Sequence, residues 1–421
     1  MLTIAPARRH RAGRGKLAIA LAGGGPLGAF YSLGALHAFG EAIVGRGLTD
    51  FDVYVGVSSG SLVAAGLANG FDTTTLGMTF IQDESTLFPF SPGELLRPAF
   101  VEYASRLARV PQVLSRLVRQ YSKDPLRSGW PAVMGALGEL VPAALFDNER
   151  LERYLHEVFT SEGHTDDFRR LPGRLSVVAT DLNTGESVTF GDRRHDRVPI
   201  SRALIASAAL PGLYPAVRID GHHYVDGALT RTLDATAALE AGCGLVICIN
   251  PLVPFDASRD PGGSRINLAE RGLPVVLGQT FRALIHSRMQ IKMAGYSVSY
   301  PRADILLFEP DRHDEQFFFT NVFRYSGRRR LANHAYQRTR RDLLAHAGTL
   351  VPLLEQHGLG LDTKLLRDPE RGFSTASRER GAHVRQVTRR LGRAVGRLEE
   401  MIAAQQLSRR SPWRPAGRRG R

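Results

Sequence analysis

Phe51-Asp52-Val53-Tyr54-Val55-Gly56-Val57-Ser58-Ser59-Gly60 is the stretch on which the fold turns. Its first half is rich in apolar and β-branched residues, which predicts a buried strand. A small-residue helical pattern follows, from Ser61 through Ala68. Between them Gly56-Val57-Ser58-Ser59-Gly60 has the form G-x-S-x-G. In a strand–turn–helix context that form describes a nucleophile elbow, a sharp turn that lifts a serine hydroxyl off the end of a sheet. Gly56 and Gly60 are then needed because a Cβ at either position would strike the neighbouring helix or strand.

Working outward, Lys16 to Ala22 reads as another buried strand, followed by Gly23-Gly24-Gly25-Pro26-Leu27-Gly28 and a helical pattern from Ala29 to Ile43. The order strand, turn, helix, strand, turn, helix predicts a mainly parallel sheet with helices on its faces, an α/β class. The glycine run itself has two readings. Gly23-x-Gly25-x-x-Gly28 fits a dinucleotide-binding fingerprint. It also fits an oxyanion hole, because glycines at a helix N-terminus present unpaired backbone N–H groups, each able to contribute on the order of 3 kcal/mol to a developing oxyanion. The oxyanion reading needs a nearby serine, and Ser58 ends the next strand. The nucleotide reading needs an acid there instead.

Downstream, Leu175 to Thr180 and Ser187 to Phe190 predict strands around a turn at Asn183-Thr184-Gly185, and Leu245 to Ile249 predicts another. Asp226-Gly227-Ala228 follows a short strand. A carboxylate there could serve as the base for Ser58 if burial raised its pKa. A Ser-Asp-His arrangement is the rival, with His286, His313 or His334 completing it.

Taken in order, Gly23-Gly24-Gly25-Pro26-Leu27-Gly28, Gly56-Val57-Ser58-Ser59-Gly60 and Asp226-Gly227-Ala228 resemble the motifs of the patatin-like phospholipase family, over roughly residues 17–250. Ala179-Thr180-Asp181-Leu182-Asn183-Thr184-Gly185 and Ser207-Ala208-Ala209-Leu210-Pro211-Gly212 are similar to that family as well. The resemblance implies a three-layer α/β/α fold, hydrolysis of lipid acyl esters, and a Ser58–Asp226 dyad without histidine. The amides of Gly23, Gly24, Gly25 and Gly28 would form the oxyanion hole, and no cofactor or metal is implied. One departure stands out. The family carries Arg or Lys between the glycine run and the last glycine, where this chain has Leu27.

The 421 residues are 43% hydrophobic and 23% charged, a globular balance with net charge +14. The charge sits at the ends. Residues 1–16 hold Arg8, Arg9, Arg11, Arg14 and Lys16 with no acid, and residues 378–421 hold thirteen Arg against three Glu. The expected organisation is a basic disordered leader (1–16), a catalytic domain (17–250) with a helical cap inserted at 87–146, a mostly helical extension (251–370), and a basic amphipathic or disordered tail (371–421). In the cap, Phe100 to Tyr121 predicts a basic amphipathic helix, and Val384 to Ile402 predicts another in the tail. Cap and tail together suggest an anionic membrane surface as partner, beside the lipid substrate. A non-catalytic membrane-binding protein on the same fold is the alternative of a different class. No zinc-ligand spacing or aromatic RNA-binding signature is present, so no nucleic acid is expected. Cys243 and Cys248 read as buried thiols. With no apolar run of about 18 residues and no secretory h-region, the expectation is a cytoplasmic protein held peripherally at membranes. The sequence carries no signal for an oligomer.

Overall fold

The computed structural model describes residues 1–9, 15–82, 89–90, 97–123, 140, 144–258, 267–319 and 327–375. Its strands are β1 (Leu2–Ala5), β2 (Lys16–Leu21), β3 (Ile43–Val44), β4 (Val53–Val57), β5 (Arg174–Asp181), β6 (Ser187–Phe190), β7 (Val217–Ile219), β8 (His222–Asp226), β9 (Cys243–Ile249), β10 (Asp304–Phe308) and β11 (Gly360–Leu361). The helices that matter below are α1 (Gly25–Ala42), α2 (Ser59–Ala68), α3 (Phe100–Lys123), α4 (Glu149–Thr160), α5 (Ile200–Ser207), α6 (Leu273–Ser299) and α7 (Arg328–Ala345). The main sheet runs β1-β10-β9-β2-β4-β5-β8-β7, with β6 paired to β5. From β10 to β5 the neighbours are parallel, and β1, β6, β7 and β8 add antiparallel edges.

Alternation along each strand explains the layers. Leu17, Ile19 and Leu21 of β2 join one core cluster, and Ala18 and Ala20 join a second. In β9, Leu245, Ile247 and Ile249 face the first core, and Cys243, Val246 and Cys248 face the second. Side chains of successive strand residues point to opposite faces, so a strand apolar throughout must be covered on both. On the first face lie α1, α2, α5 and α7, through residues such as Phe39, Leu67, Leu204 and Tyr336. On the second lie Leu233 to Leu239 and, from α6, Met289 and Tyr296. The expected three-layer α/β/α architecture with a mainly parallel sheet is therefore what the chain forms. Both cysteines are buried, and neither is in a disulfide.

Three boundaries differ from the sequence reading. Leu2–Ala5 is an edge strand, in register with Ile305–Phe308, and does not belong to an unstructured leader. The 251–370 segment is continuous with the catalytic sheet, because β10 extends it beside β9. Arg371 donates through Nε to Glu41 Oε1 (2.9 Å), and Phe373 is fully buried against His37 and Tyr336, so the folded body continues through 371–375. The tail helix expected at Val384 to Ile402 lies outside the described residues.

Candidate active site

Parallel pairing of β2 with β4 sets Leu21 opposite Gly56. Two residues further along each strand, the glycine loop and the elbow therefore meet at the same sheet edge. The meeting is close: a Cβ built on Gly23 would stand 2.7 Å from Ser58 Cβ. Ser58 follows β4 with φ 53° and ψ −131°, left-handed backbone that a non-glycine residue holds only under constraint, at a cost of roughly 1–3 kcal/mol. The constraint is visible. A Cβ on Gly56 would fall 2.3 Å from Ser61 Cα, and one on Gly60 2.4 Å from the Ala22 carbonyl oxygen. The Ser58 N–H donates to Ser207 Oγ (2.8 Å), whose hydroxyl donates to the Val178 carbonyl (2.5 Å). Ser61 Oγ in turn donates to the Ser58 carbonyl (2.5 Å).

Asp226 arrives from the other side. β4 is parallel to β5, with Val57 opposite Val178, and β5 is antiparallel to β8, with Ala179 opposite Asp226. Ser58 Oγ donates to Asp226 Oδ2 at 2.5 Å. Asp226 Oδ1 accepts from the Ala228 N–H (2.8 Å), which fixes the carboxylate so that Oδ2 faces the serine. Gly227 allows the turn after it, for a Cβ there would lie 2.2 Å from the Val178 carbonyl oxygen. Both partners are nearly sealed, with Ser58 5% and Asp226 2% exposed. Burial penalises the charged carboxylate and lifts the Asp226 pKa to about 6, although the bonds from Ser58 and Ala228 pull the other way. A carboxyl group so raised is a stronger base than an exposed one, and it titrates closer to neutral pH.

The pair opens onto a cavity of about 450 Å³. Gly24, Gly25 and Pro26 line it at one side, and Leu33, Leu62, Phe80, Phe90, Leu155 and Ile205 form apolar walls. Gly24 and Gly25 both have positive φ, at 148° and 62°. Gly28 accordingly lies inside α1, its N–H donating to the Gly24 carbonyl (3.0 Å), and does not line the cavity. Gly23 packs beneath Ser58 and is likewise set back from it.

The three histidines held open for a triad are elsewhere. His286 Nε2 meets Gln290 Nε2 (2.9 Å), His313 Nδ1 meets the Asp256 carbonyl (3.1 Å), and His334 Nε2 meets Asp314 Oδ2 (2.5 Å). His222, close to Asp226 in sequence, pairs instead with Asp181 at 2.8 Å. No histidine is among the described residues lining the cavity. The dinucleotide reading also loses its geometry, since the first glycine of the fingerprint is pressed against a serine. Among the described residues no group of three or more His, Cys, Asp or Glu could hold a metal ion. Two contributors carried no sequence signal of their own: Ser207, quoted above only as part of a supporting stretch, and Arg282 of α6, which lines the cavity from residues after 250.

A parallel α/β/α sheet with a serine elbow beside a glycine loop defines a class of protein, and comparison with known families gives the same result. The profile of the family described as patatin-like phospholipase matches residues 19–239, more than half of the chain. The chain belongs to the patatin-like phospholipase family, and so stands among lipid hydrolases. Two solved structures are similar to it. VipD from Legionella pneumophila is 14% identical, with a TM-score of 0.33 over 85% of this chain and 82% of that one. The type III effector protein ExoU is 16% identical, with a TM-score of 0.27 over 82% of this chain and 65% of that one, so the match spans under two thirds of ExoU.

Proposed function

We propose that the chain is a serine acyl hydrolase that cleaves ester bonds of membrane lipids with Ser58 as nucleophile and Asp226 as general base. The observation that carries this reading is the 2.5 Å bond from Ser58 Oγ to a buried carboxylate at the wall of an apolar cavity. Asp226 accepts the hydroxyl proton as Oγ attacks the ester carbonyl. The tetrahedral oxyanion is met by backbone N–H groups of the glycine loop at Gly24 and Gly25, the two of its glycines that line the cavity. Collapse expels the alcohol, which takes the proton from Asp226, and leaves an acyl-serine. Water then attacks the acyl carbon as Asp226 takes its proton, and collapse breaks the bond to Ser58 Oγ, which recovers the proton from Asp226 as the fatty acid leaves.

The proposed membrane association draws on two exposed helix faces, of which the second reaches the cavity. α3 exposes Leu107, Leu114 and Val118 on a helix that also carries Arg109 and Arg119. α6 exposes Leu273, Leu277, Leu284 and Ile291, and its Phe281 is both half exposed and part of the cavity lining. Apolar helix faces with flanking arginine suit an anionic bilayer surface. Among the described residues no helix is long and apolar enough to cross a membrane. The test is release of fatty acid from vesicles of mixed phospholipids. The wild-type protein releases it, and Ser58→Ala, folded by circular dichroism, does not; full activity in Ser58→Ala ends the proposal.

A further inference from the structure

Gly24 and Gly25 hold positive φ, and neither has a side chain to lock it there. Glycine visits several backbone regions at similar cost, so the shape of this loop must be imposed by what packs on it. Pro251 packs on it. Its Cγ lies 3.0 Å from where a Cβ on Gly24 would stand, and 3.1 Å from where one on Gly28 would. The proline ring thus fills the side-chain space that both glycines leave empty. Topology brings it there. β9 is parallel to β2 with Ile249 opposite Leu21, and the Ala22 N–H donates to the Ile249 carbonyl (3.0 Å), so the two chains leave the sheet at the same edge.

Pro251 is itself rigid and anchored. Its ring fixes its own φ and restricts Asn250 before it to extended backbone. Asn250 is fully buried. Its N–H donates to the Phe308 carbonyl (2.9 Å), its Nδ2 donates to Glu309 Oε1 (2.8 Å), and its Oδ1 accepts from the Leu252 N–H (3.1 Å). Leu252 lines the cavity and packs against the cluster of Val57, Val178, Ala228 and Ile285, which includes the residue before Ser58. One short segment, tied to the end of β10, therefore bears on the glycine loop through Pro251 and on the base of the elbow through Leu252.

We propose that Pro251 is a positioning residue for the reaction: anchored by Asn250, it fixes the backbone at Gly24 and Gly25 so that the N–H groups there are aligned on the oxyanion as it forms. This rests on the reading of Ser58 as nucleophile. Donors of this kind accelerate a reaction only by binding the transition state more strongly than the ground state, and only if they are aligned beforehand. A glycine loop released from Pro251 keeps its hold on substrate and loses its hold on the tetrahedral intermediate.

The test compares wild type with Pro251→Ala and Pro251→Val. On a soluble short-chain ester, kcat in Pro251→Ala falls by about tenfold or more while KM stays unchanged, a smaller loss than deleting a donor outright. A short-chain alkyl trifluoromethyl ketone, which forms a tetrahedral adduct with serine, binds Pro251→Ala weaker by a similar factor, and the fatty acid of the same chain binds both proteins equally. Pro251→Val keeps a γ-carbon without the ring. It shows the same split at smaller size, and carries the test if Pro251→Ala does not fold. Separately, hydrogen exchange at the Gly28 amide, which donates to the Gly24 carbonyl, is faster in either variant. Unchanged kcat, or ketone and fatty acid weakened together, overturns the positioning role. If the wild type neither cleaves ester nor binds the ketone while Gly28 exchange still depends on Pro251, the Ser58 reading fails and the hold of Pro251 on the loop stands.

Discussion

Asp226→Asn separates what the carboxylate does for chemistry from what it costs the fold. Burial raises its pKa from 3.8 to about 6 in the folded protein. A shift of that size corresponds to about 3 kcal/mol between the two protonation states. Below about pH 4 the group is protonated in both folded and unfolded chains, and the full stability is present. As pH rises through the folded pKa, the unfolded chain has already ionised freely and the folded one ionises against burial, so stability falls by up to about 3 kcal/mol near pH 8. Asparagine has the same shape and no charge. Its Oδ1 can accept from the Ala228 N–H, and its Nδ2 can donate to Ser58 Oγ, so both bonds of the native pair have a replacement. The expected variant is inactive, close to wild type in stability near pH 4, and about 2–3 kcal/mol more stable near pH 8. Urea unfolding followed by circular dichroism at both pH values measures the difference. A stability gap that does not grow with pH would refute the claim that the active site holds a carboxyl group ionised against its environment.

The same group sets the rate profile. The logarithm of kcat/KM on a soluble short-chain ester should climb with unit slope to about pH 6 and then level off, and a rate flat from pH 4.5 upward contradicts a buried base. Ser207→Ala should leave the buried Ser58 N–H and Val178 carbonyl unpaired, at about 1–3 kcal/mol each. It should also loosen the left-handed backbone at Ser58, so kcat falls more than KM rises; unchanged melting temperature and unchanged kcat together would show that Ser207 does not hold the elbow.

Much of this was legible in the residues because it is local. The elbow, the glycine loop and Asp226-Gly227-Ala228 each need a specific residue at a specific turn. Continuous apolar strands such as Leu17 to Leu21 announce burial on both faces. What escaped depends on distant partners. Leu2–Ala5 looks like part of a basic leader until Ile305–Phe308 offers it an edge. Arg371 and Phe373 look like the start of a tail until Glu41 and His37 receive them. Arg282 sits on a helix with no motif, and its place in the cavity lining arises only when Ile285 of the same helix packs with Val57 at the end of β4 and Ala228 in the turn after β8. The triad alternative could not be dismissed by spacing either, since it is the bonding of His286, His313 and His334 that takes them away from Ser58.

The central claim is that Ser58 is a nucleophile activated by Asp226. A fluorophosphonate added to the folded wild-type protein, followed by peptide mass spectrometry, tests it most directly. The account predicts a phosphonyl adduct on Ser58, formed far more slowly in Asp226→Asn. An unlabelled Ser58 in a folded sample that hydrolyses lipid, or an adduct on another residue that accounts for the lost activity, would contradict it.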